Sequence, residues 1–487
     1  MLKKNCLPLV IGLLLGVAAP LAATAKDYLR TCWHQQGQSL QASCLTLNYR
    51  ETVNELEHNA APWQTTAYTG RGTVWTNAES FGKQDTLRAA ARPRTYFSST
   101  QWSPATLLFR DYGDQGLFAA TPGLQQDYTF RAARYSPVAL LAYFVQHRVP
   151  ADKTALPGLV AYLATINETV VSLFIRRHDA LLDHVTLLSP DELLGDVSTT
   201  FTYQNYAEAA GVRYPATIRI AKANGQVQDE VSIEAATSQP AAPMLLAPPP
   251  GYQLRPAAAT QSEIRVERFR PHLHFIELEH TNDRVLVVEF DQFLVVAEAP
   301  LNSANGELIL REARKIAPSK PIRYFVAGHH HPHYLGGLRP FVHQGATILY
   351  GAGSGPYVAY LAAAPHTLRP DSLQRDPKPW RGEEIRDTKT IADGTFTMQI
   401  FCIGAQSGHT NDYLVYYFPS EKLLFEDDLV GIPRQGPPGK ASARQAGLYQ
   451  AIKARGLAVD IVVQSWPVTE AGVKTIIPFV ELEQSMK

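Results

Sequence analysis

Gly328-His329-His330-His331-Pro332-His333-Tyr334-Leu335-Gly336-Gly337 gathers four of the chain's 15 histidines within five residues. It follows directly on Ile322-Arg323-Tyr324-Phe325-Val326-Ala327, a strand-like stretch. A buried strand that delivers imidazoles onto a loop at its carboxyl end suits a metal ion, because neutral imidazole nitrogens bind borderline-soft divalent metals such as zinc. In extended chain, residues i and i+2 point the same way, so His329 and His331 share a face while His330 points elsewhere. Gly336 and Gly337 then let the backbone turn tightly into Leu338-Arg339-Pro340-Phe341-Val342. The competing reading, a solvated histidine tract that takes up metal adventitiously, does not account for this spacing.

The run resembles the His-x-His-x-Asp-His signature, followed by Gly-Gly, of the metallo-β-lactamase-fold hydrolases. Val288-Glu289-Phe290 and Glu298-Ala299-Pro300 resemble that family's upstream features, followed by a helix and then Lys320-Pro321-Ile322-Arg323-Tyr324. Downstream, Ser407-Gly408-His409-Thr410-Asn411-Asp412 resembles the motif that carries a third histidine ligand. Lys422-Leu423-Leu424-Phe425-Glu426-Asp427-Asp428-Leu429 resembles the strand whose terminal aspartate, here Asp428, bridges two metals. The similarity spans residues 263–487 and implies an αββα sandwich, two sheets covered by helices.

Where the family pattern has Asp then His, the chain has His333 then Tyr334. The position of the last histidine ligand, in Val459-Asp460-Ile461-Val462-Val463-Gln464-Ser465-Trp466, falls on Trp466, and no histidine follows His409. The resemblance therefore implies a first metal on His329, His331 and His409, and a second position that keeps only Asp428, with His333 or the Tyr334 phenol as substitutes. Three histidines and a water match an open catalytic zinc site, and Trp466 offers no lone pair. Two divalent ions on one carboxylate would leave a large uncompensated charge, so one zinc per chain is expected. Such an ion polarises a carbonyl and activates water, which implies hydrolysis of an ester, lactone or amide-like bond, assisted by Asp428 or His333. Asp428 is open to two roles, a fourth ligand or a hydrogen-bond partner of the water. The alternative is a catalytically inactive member that binds or scaffolds an apolar or lipid-like ligand, with Trp466 filling the volume of the missing metal or stacking on a flat substrate.

Other residues in this half carry smaller expectations. Gly351-Ala352-Gly353-Ser354-Gly355-Pro356-Tyr357 lacks the lysine and hydroxyl residue of a phosphate-binding loop and reads as a turn. His272, His274 and His280 alternate with apolar residues and are expected on the exposed face of an early strand. His343 and His366 lie off every motif. Asp427 is expected to be the exposed neighbour of Asp428 in a strand-end turn.

The chain opens as a secretory leader over residues 1–25. Lys3 and Lys4 are basic, Leu7 to Val17 is apolar, and Ala23-Thr24-Ala25 is a small-residue cleavage site. The apolar run is shorter than the roughly 20 residues of a spanning helix, so a periplasmic product with no transmembrane anchor is expected. Lys+Arg and Asp+Glu both number 45, and loss of Lys3 and Lys4 leaves a slight acidic excess. No basic field points to nucleic acid; the expected partner is a small-molecule or lipid-like substrate. Cys32 and Cys44 are close enough in sequence to pair in an oxidising space, with two free thiols as the rival reading, and Cys402 reads as a buried strand residue.

Ser238-Gln239-Pro240-Ala241-Ala242-Pro243 and Ala247-Pro248-Pro249-Pro250-Gly251 form a proline-rich connector, placed at 237–262. The fold class is thus α+β, two-domain, with a β-rich domain at 26–236 and the sandwich at 263–487. The first reads as alternating strands, clearest at 169–175, 199–203 and 216–220, after an early helix around Glu51 to His58. Its segment Tyr203-Gln204-Asn205-Tyr206, followed by Gly211-Val212-Arg213-Tyr214-Pro215, resembles a turn of the bacterial outer-membrane lipoprotein carrier and sorting proteins, which implies an open half-barrel. In the second, Ile309, Ala313 and Ile316 mark one helical face before Pro318, and Leu448 with Ile452 marks another.

Overall fold

The computed structural model describes residues 27–41, 43–56, 58–89, 95–103, 106–111, 114–119, 121–240, 264–468 and 472–487. The expected leader at 1–25 and most of the expected connector lie outside the described residues. The described residues are mixed α and β, rich in strands, and build sheets of 12, seven and six strands.

The 12-stranded sheet is antiparallel and consists of two meanders joined at a central pair, Ser43–Glu55 with Val227–Pro240. One meander runs outward by hairpins to Asp114–Ala119, the other to Leu159–Ile166; among the described residues these edge strands do not pair, so the sheet is open. It curls around its helices. Tyr135 packs on Tyr49 and Phe81 from one meander, the Ala133 carbonyl accepts from Tyr203 Oη of the other, and Leu29 N–H reaches Tyr162 Oη near the far edge. A flat sheet with strands about 4.8 Å apart would be far too wide for two short helices to touch both wings.

Four expectations in this half are corrected. Residues 51–55 are strand, not helix: Leu45, Leu47, Tyr49, Glu51 and Val53 alternate inward along Ser43–Glu55, and pairing on both sides overrides the helix-favouring Glu and Leu. Glu51 is buried because Arg134 Nε donates to it at 2.9 Å. The early helix is instead Tyr28–Gln36, capped by the Asp27 side chain. Tyr203 to Tyr206 lie inside the strand Gly195–Ala209, and the chain turns at Ala210-Gly211, both with positive φ. Cys32 and Cys44 are separate buried thiols; Gln36 Nε2 donates to Cys32 Sγ at 2.9 Å, and burial pushes the Cys32 thiol up to about 12. Ser238, Gln239 and Pro240 belong to the strand Val227–Pro240, so the sheet runs past 236.

The remaining sheets form four layers with their helices. The seven-stranded sheet begins with antiparallel strands from Ile264–Arg270 to Leu294–Ala297 and continues in parallel through Ile322–Val326, Thr347–Gly351 and Arg381–Ile385. Its outer face packs on the helices Ser303–Ile316, Leu338–His343 and Gly355–Ala363, where Phe325 stacks on Phe341 with ring centroids 4.4 Å apart. Burying one such ring contributes about 2–3 kcal/mol. Its inner face meets the six-stranded sheet through Phe275, Val326, Leu349, Met398, Tyr416 and Phe425. The helices Ala443–Ala454 and Phe479–Ser485 cover the far side of that sheet. Because the strand Leu273–Leu278 is buried along its whole length, His274 is buried too, 3.2 Å from Glu289; His272 is half-buried, and only His280 is exposed as expected.

The first sheet also meets the four-layered half. Leu194, Ala223 and Val227 join the same apolar cluster as the helix Gly355–Ala363, and Asp196 accepts the Thr367 and Leu368 N–H groups at 2.8 and 3.1 Å.

Candidate metal centre

Both sheets of the sandwich deliver side chains to one edge. His329 to His331 follow the carboxyl end of Ile322–Val326, and Asp427 and Asp428 follow that of Leu423–Glu426, each a strand with a parallel neighbour. Ligand sites in such sheets form outside the carboxyl ends of the strands. His331 precedes Pro332, whose ring disfavours helical backbone in the residue before it; His331 is accordingly extended (φ −71, ψ 151) and caps the short helix Pro332–Leu335. His409 stands on a tight turn: Gly408 has φ 64, and Ser407 Oγ accepts the His409 and Thr410 N–H groups at 3.1 and 3.2 Å.

His329, His331 and His409 converge, one ring nitrogen of each lying within 4.8 Å of the others. His329 Nε2 and His331 Nδ1 are 2.9 Å apart. Their outer nitrogens decide what lies between them. His329 Nδ1 is 2.7 Å from Asp427 Oδ2, and His331 Nε2 is 3.1 Å from the Asn59 carbonyl oxygen. The Asn59 carbonyl only accepts, so His331 donates outward and turns its Nδ1 lone pair toward His329; an acceptor role for Asp427 Oδ2 does the same for His329. Protonation does not relieve this: burial and the neighbouring imidazoles hold His331 down to about 3 and His329 well below its usual range. His409 Nε2 is buried without a hydrogen-bond partner, although Asp428 Oδ2 lies 3.2 Å away. Converging lone pairs and an orphaned imidazole nitrogen fit a shared cation, and tetrahedral zinc with Zn–N near 2.05 Å spaces its nitrogens about 3.3 Å apart.

Asp427 is not the exposed neighbour expected from sequence. It is 0% exposed and holds His329. Trp466 N–H donates to its carbonyl, and Gly328 leaves room for its carboxylate. Beside it lies Glu298, equally buried: burial first and repulsion from Glu298 second raise Asp427 well above its usual range, and burial raises Glu298 to about 8. Asp428 is the outer of the pair. Burial pushes it up, but His409 and Arg444, whose Nη1 is 3.3 Å away, outweigh this and hold it below the usual carboxylate range. The Tyr413 hydroxyl accepts both the Asp427 and Asp428 N–H groups at 3.0 Å and donates toward Glu426, with Asp428 Oδ1 at 3.2 Å.

The other proposed ligands stand apart. His333 Nδ1 faces Asp283 at 3.0 Å; burial lowers its pKa, and the Asp283 carboxylate more than offsets that. Tyr334 is buried with its ring 4.2 Å from that of His329. His330 pairs with Asp412 at 2.9 Å. Trp466 is 37% exposed, its ring 6.2 Å from that of His333. Sequence reading missed Asp427, Arg444, Asp283 and the segment that begins at His58, whose ring meets that of His331 edge-on at 4.8 Å. Arg444, in the first turn of a helix just past the Asp428 motif, carried a faint signal; His58 carried none. Among the described residues no helix is long and apolar enough to cross a membrane.

Comparison with protein-family models gives no match, and comparison with curated proteins gives none. Among solved structures, a metallo-beta-lactamase from Pontibacter korlensis is 17% identical, with a TM-score of 0.34 over 46% of this chain and 97% of its own. The metallo-beta-lactamase FIM-1 from Pseudomonas aeruginosa in the mono-zinc form is 16% identical, with a TM-score of 0.34 over 46% and 93%. A flavoprotein from Thermotoga maritima is 13% identical, with a TM-score of 0.33 over 47% and 61%.

Proposed function

We propose that the chain is a metal-dependent hydrolase with a metallo-β-lactamase-like αββα half, holding a single zinc on His329, His331 and His409 and cleaving an ester, lactone or amide-like bond. The observation that carries this reading is the convergence of three ring nitrogens, one each from His329, His331 and His409, within 4.8 Å of one another, with His409 Nε2 buried and lacking a hydrogen-bond partner. A zinc ion held there would supply Lewis acidity for a carbonyl and an activated water. The protein does the rest. Asp427 and the Asn59 carbonyl orient two of the rings, and such outer partners govern metal affinity. Asp428, held below the usual carboxylate range and 3.2 Å from His409, would accept a proton. Arg444, its side chain 38% exposed, offers positive charge to an anionic substrate group. One ion rather than two is supported by Trp466 at the expected position of the last histidine ligand, since an indole has no lone pair to offer. Export to the periplasm through the leader at 1–25 belongs to the same proposal.

Metal content of the purified chain and hydrolysis of generic esters and lactones, compared between wild type and His331→Ala, test it. About one zinc per chain, with activity lost in the variant, is the expected result; absence of zinc or unchanged turnover would overturn it. A second reading, a binding protein for an amphipathic ligand, draws on a cavity of about 370 Å³ in the first sheet, where Phe81, Leu87 and Phe201 face Lys83, Arg134 and Lys222. Stoichiometric metal without turnover, together with co-purified lipid, would favour it.

A further inference from the structure

The loop joining the strands Ser43–Glu55 and Thr66–Thr76 belongs to the first sheet, yet it lies in the histidine centre. Besides the Asn59 carbonyl on His331 Nε2, the Asn411 N–H donates to the Ala60 carbonyl at 2.8 Å, two residues beyond His409. Trp63 stands edge-to-face against both Tyr357 and Tyr360, each with ring centroids 5.1 Å away. The loop also sets its own shape. Asn59 Nδ2 donates to the Gln64 carbonyl at 2.9 Å, Thr66 Oγ1 donates to Asn59 Oδ1 at 3.0 Å, and Ala61 N–H donates to Gln64 Oε1 at 3.1 Å. The direction of the Asn59 carbonyl is therefore fixed by contacts on both sides of it.

We infer that residues 58–64 are a positioning segment of the metal centre: the Asn59 carbonyl holds His331 as the Nε2–H tautomer, and metal binding and docking of this loop are one linked equilibrium. The inference rests on the metal reading above. A metal-binding imidazole needs a fixed acceptor on its outer nitrogen, and loss of such a partner typically costs 10–100-fold in affinity. For His329 that acceptor comes from its own half of the chain; for His331 it comes from 272 residues away. Linkage is reciprocal, so whatever factor the docked loop adds to zinc affinity, zinc adds to the docking of the loop. Trp63 acts as the wedge that keeps the loop seated, through Tyr357 and Tyr360.

Two variants separate the parts. Trp63→Ala removes the wedge, and Asn59→Ala removes the side-chain bonds that aim the carbonyl while leaving the carbonyl itself. Zinc affinity is measured by competition with a chromophoric chelator, hydrogen exchange of residues 58–64 with and without zinc, and the His331 tautomer by nitrogen NMR of the full chain. Zinc should slow exchange across 58–64 in the wild type, and each variant should bind zinc about tenfold or more weakly, with His331 no longer confined to one tautomer. Wild-type zinc affinity in both variants, or exchange of 58–64 indifferent to zinc, would overturn the coupling while leaving the metal site intact. A wild-type chain that takes up no zinc would overturn the metal reading itself.

Discussion

Gly328→Ala should weaken both the fold and the metal centre, although its backbone conformation suits any residue. A Cβ at this position would lie 2.0 Å from Asp427 Oδ2 and 2.6 Å from its Cγ, where real contacts need more than 3 Å. The backbone cannot yield, because the Gly328 N–H donates to Glu298 Oε2 at 3.0 Å and its carbonyl accepts the Leu414 N–H at 2.7 Å. Asp427 has to move by about 1 Å, which breaks its 2.7 Å bond to His329. Overpacking costs about 1–3 kcal/mol and the lost buried hydrogen bond about 1–2 kcal/mol, so urea unfolding in excess chelator should show a loss of roughly 2–5 kcal/mol. With His329 no longer oriented, zinc affinity measured by chelator competition should fall 10–100-fold. Gly439→Ala, where an added Cβ meets nothing within 4 Å, serves as the control and should change neither quantity. A Gly328→Ala chain as stable and as zinc-avid as the control would refute the reasoning that Asp427 organises the site.

Zinc at 100 times its dissociation constant should raise the unfolding free energy of the wild type by about 2.7 kcal/mol, with no such gain in His409→Ala, as read by thermal melts with and without the metal. Asp428→Asn should keep zinc affinity within about tenfold of wild type while lowering ester hydrolysis at least 100-fold, since the three imidazoles remain and the proton acceptor does not; equal losses in both would make Asp428 a ligand instead. Asp371 is raised by burial but held down to about 2 by the Arg339 fork, at 2.6 and 3.1 Å, and by the Gln374 N–H. Its folded pKa is depressed, so its contribution of about 2 kcal/mol is present above pH 4 and drains away as pH falls toward 2. Urea midpoints of wild type and Asp371→Asn should therefore differ at pH 6 and converge near pH 2; a constant gap would sink this assignment.

What could be read from sequence was whatever depends on short-range spacing. The i, i+2 relation of His329 and His331 in extended chain put two imidazoles on one face, and Ile309 and Ala313 revealed the buried face of the helix Ser303–Ile316. Roles set by burial were not readable. Asp427 and Asp428 are adjacent and chemically identical, and only the packing of Glu298 and His329 against the first makes it the inner residue. Glu51 to Glu55 look helical by composition, and the ladders that make them strand, with Thr66–Thr76 along their length and with Val227–Pro240 at Glu51 and Thr52, lie outside that window of sequence. The Asn59 carbonyl carries no side-chain signature at all, so no reading of residue types could assign it to His331.

The contact between His329 and Asp427 joins residues 98 positions apart, and the one between His331 and Asn59 joins residues 272 apart. During synthesis the paired imidazoles leave the ribosome long before Asp427 does, and a chain truncated ahead of it presents His329 with no acceptor. On the proposed reading, zinc affinity at full strength would require a chain that reaches past Asp427 and has its first sheet in place, so that shorter fragments would hold the ion more weakly.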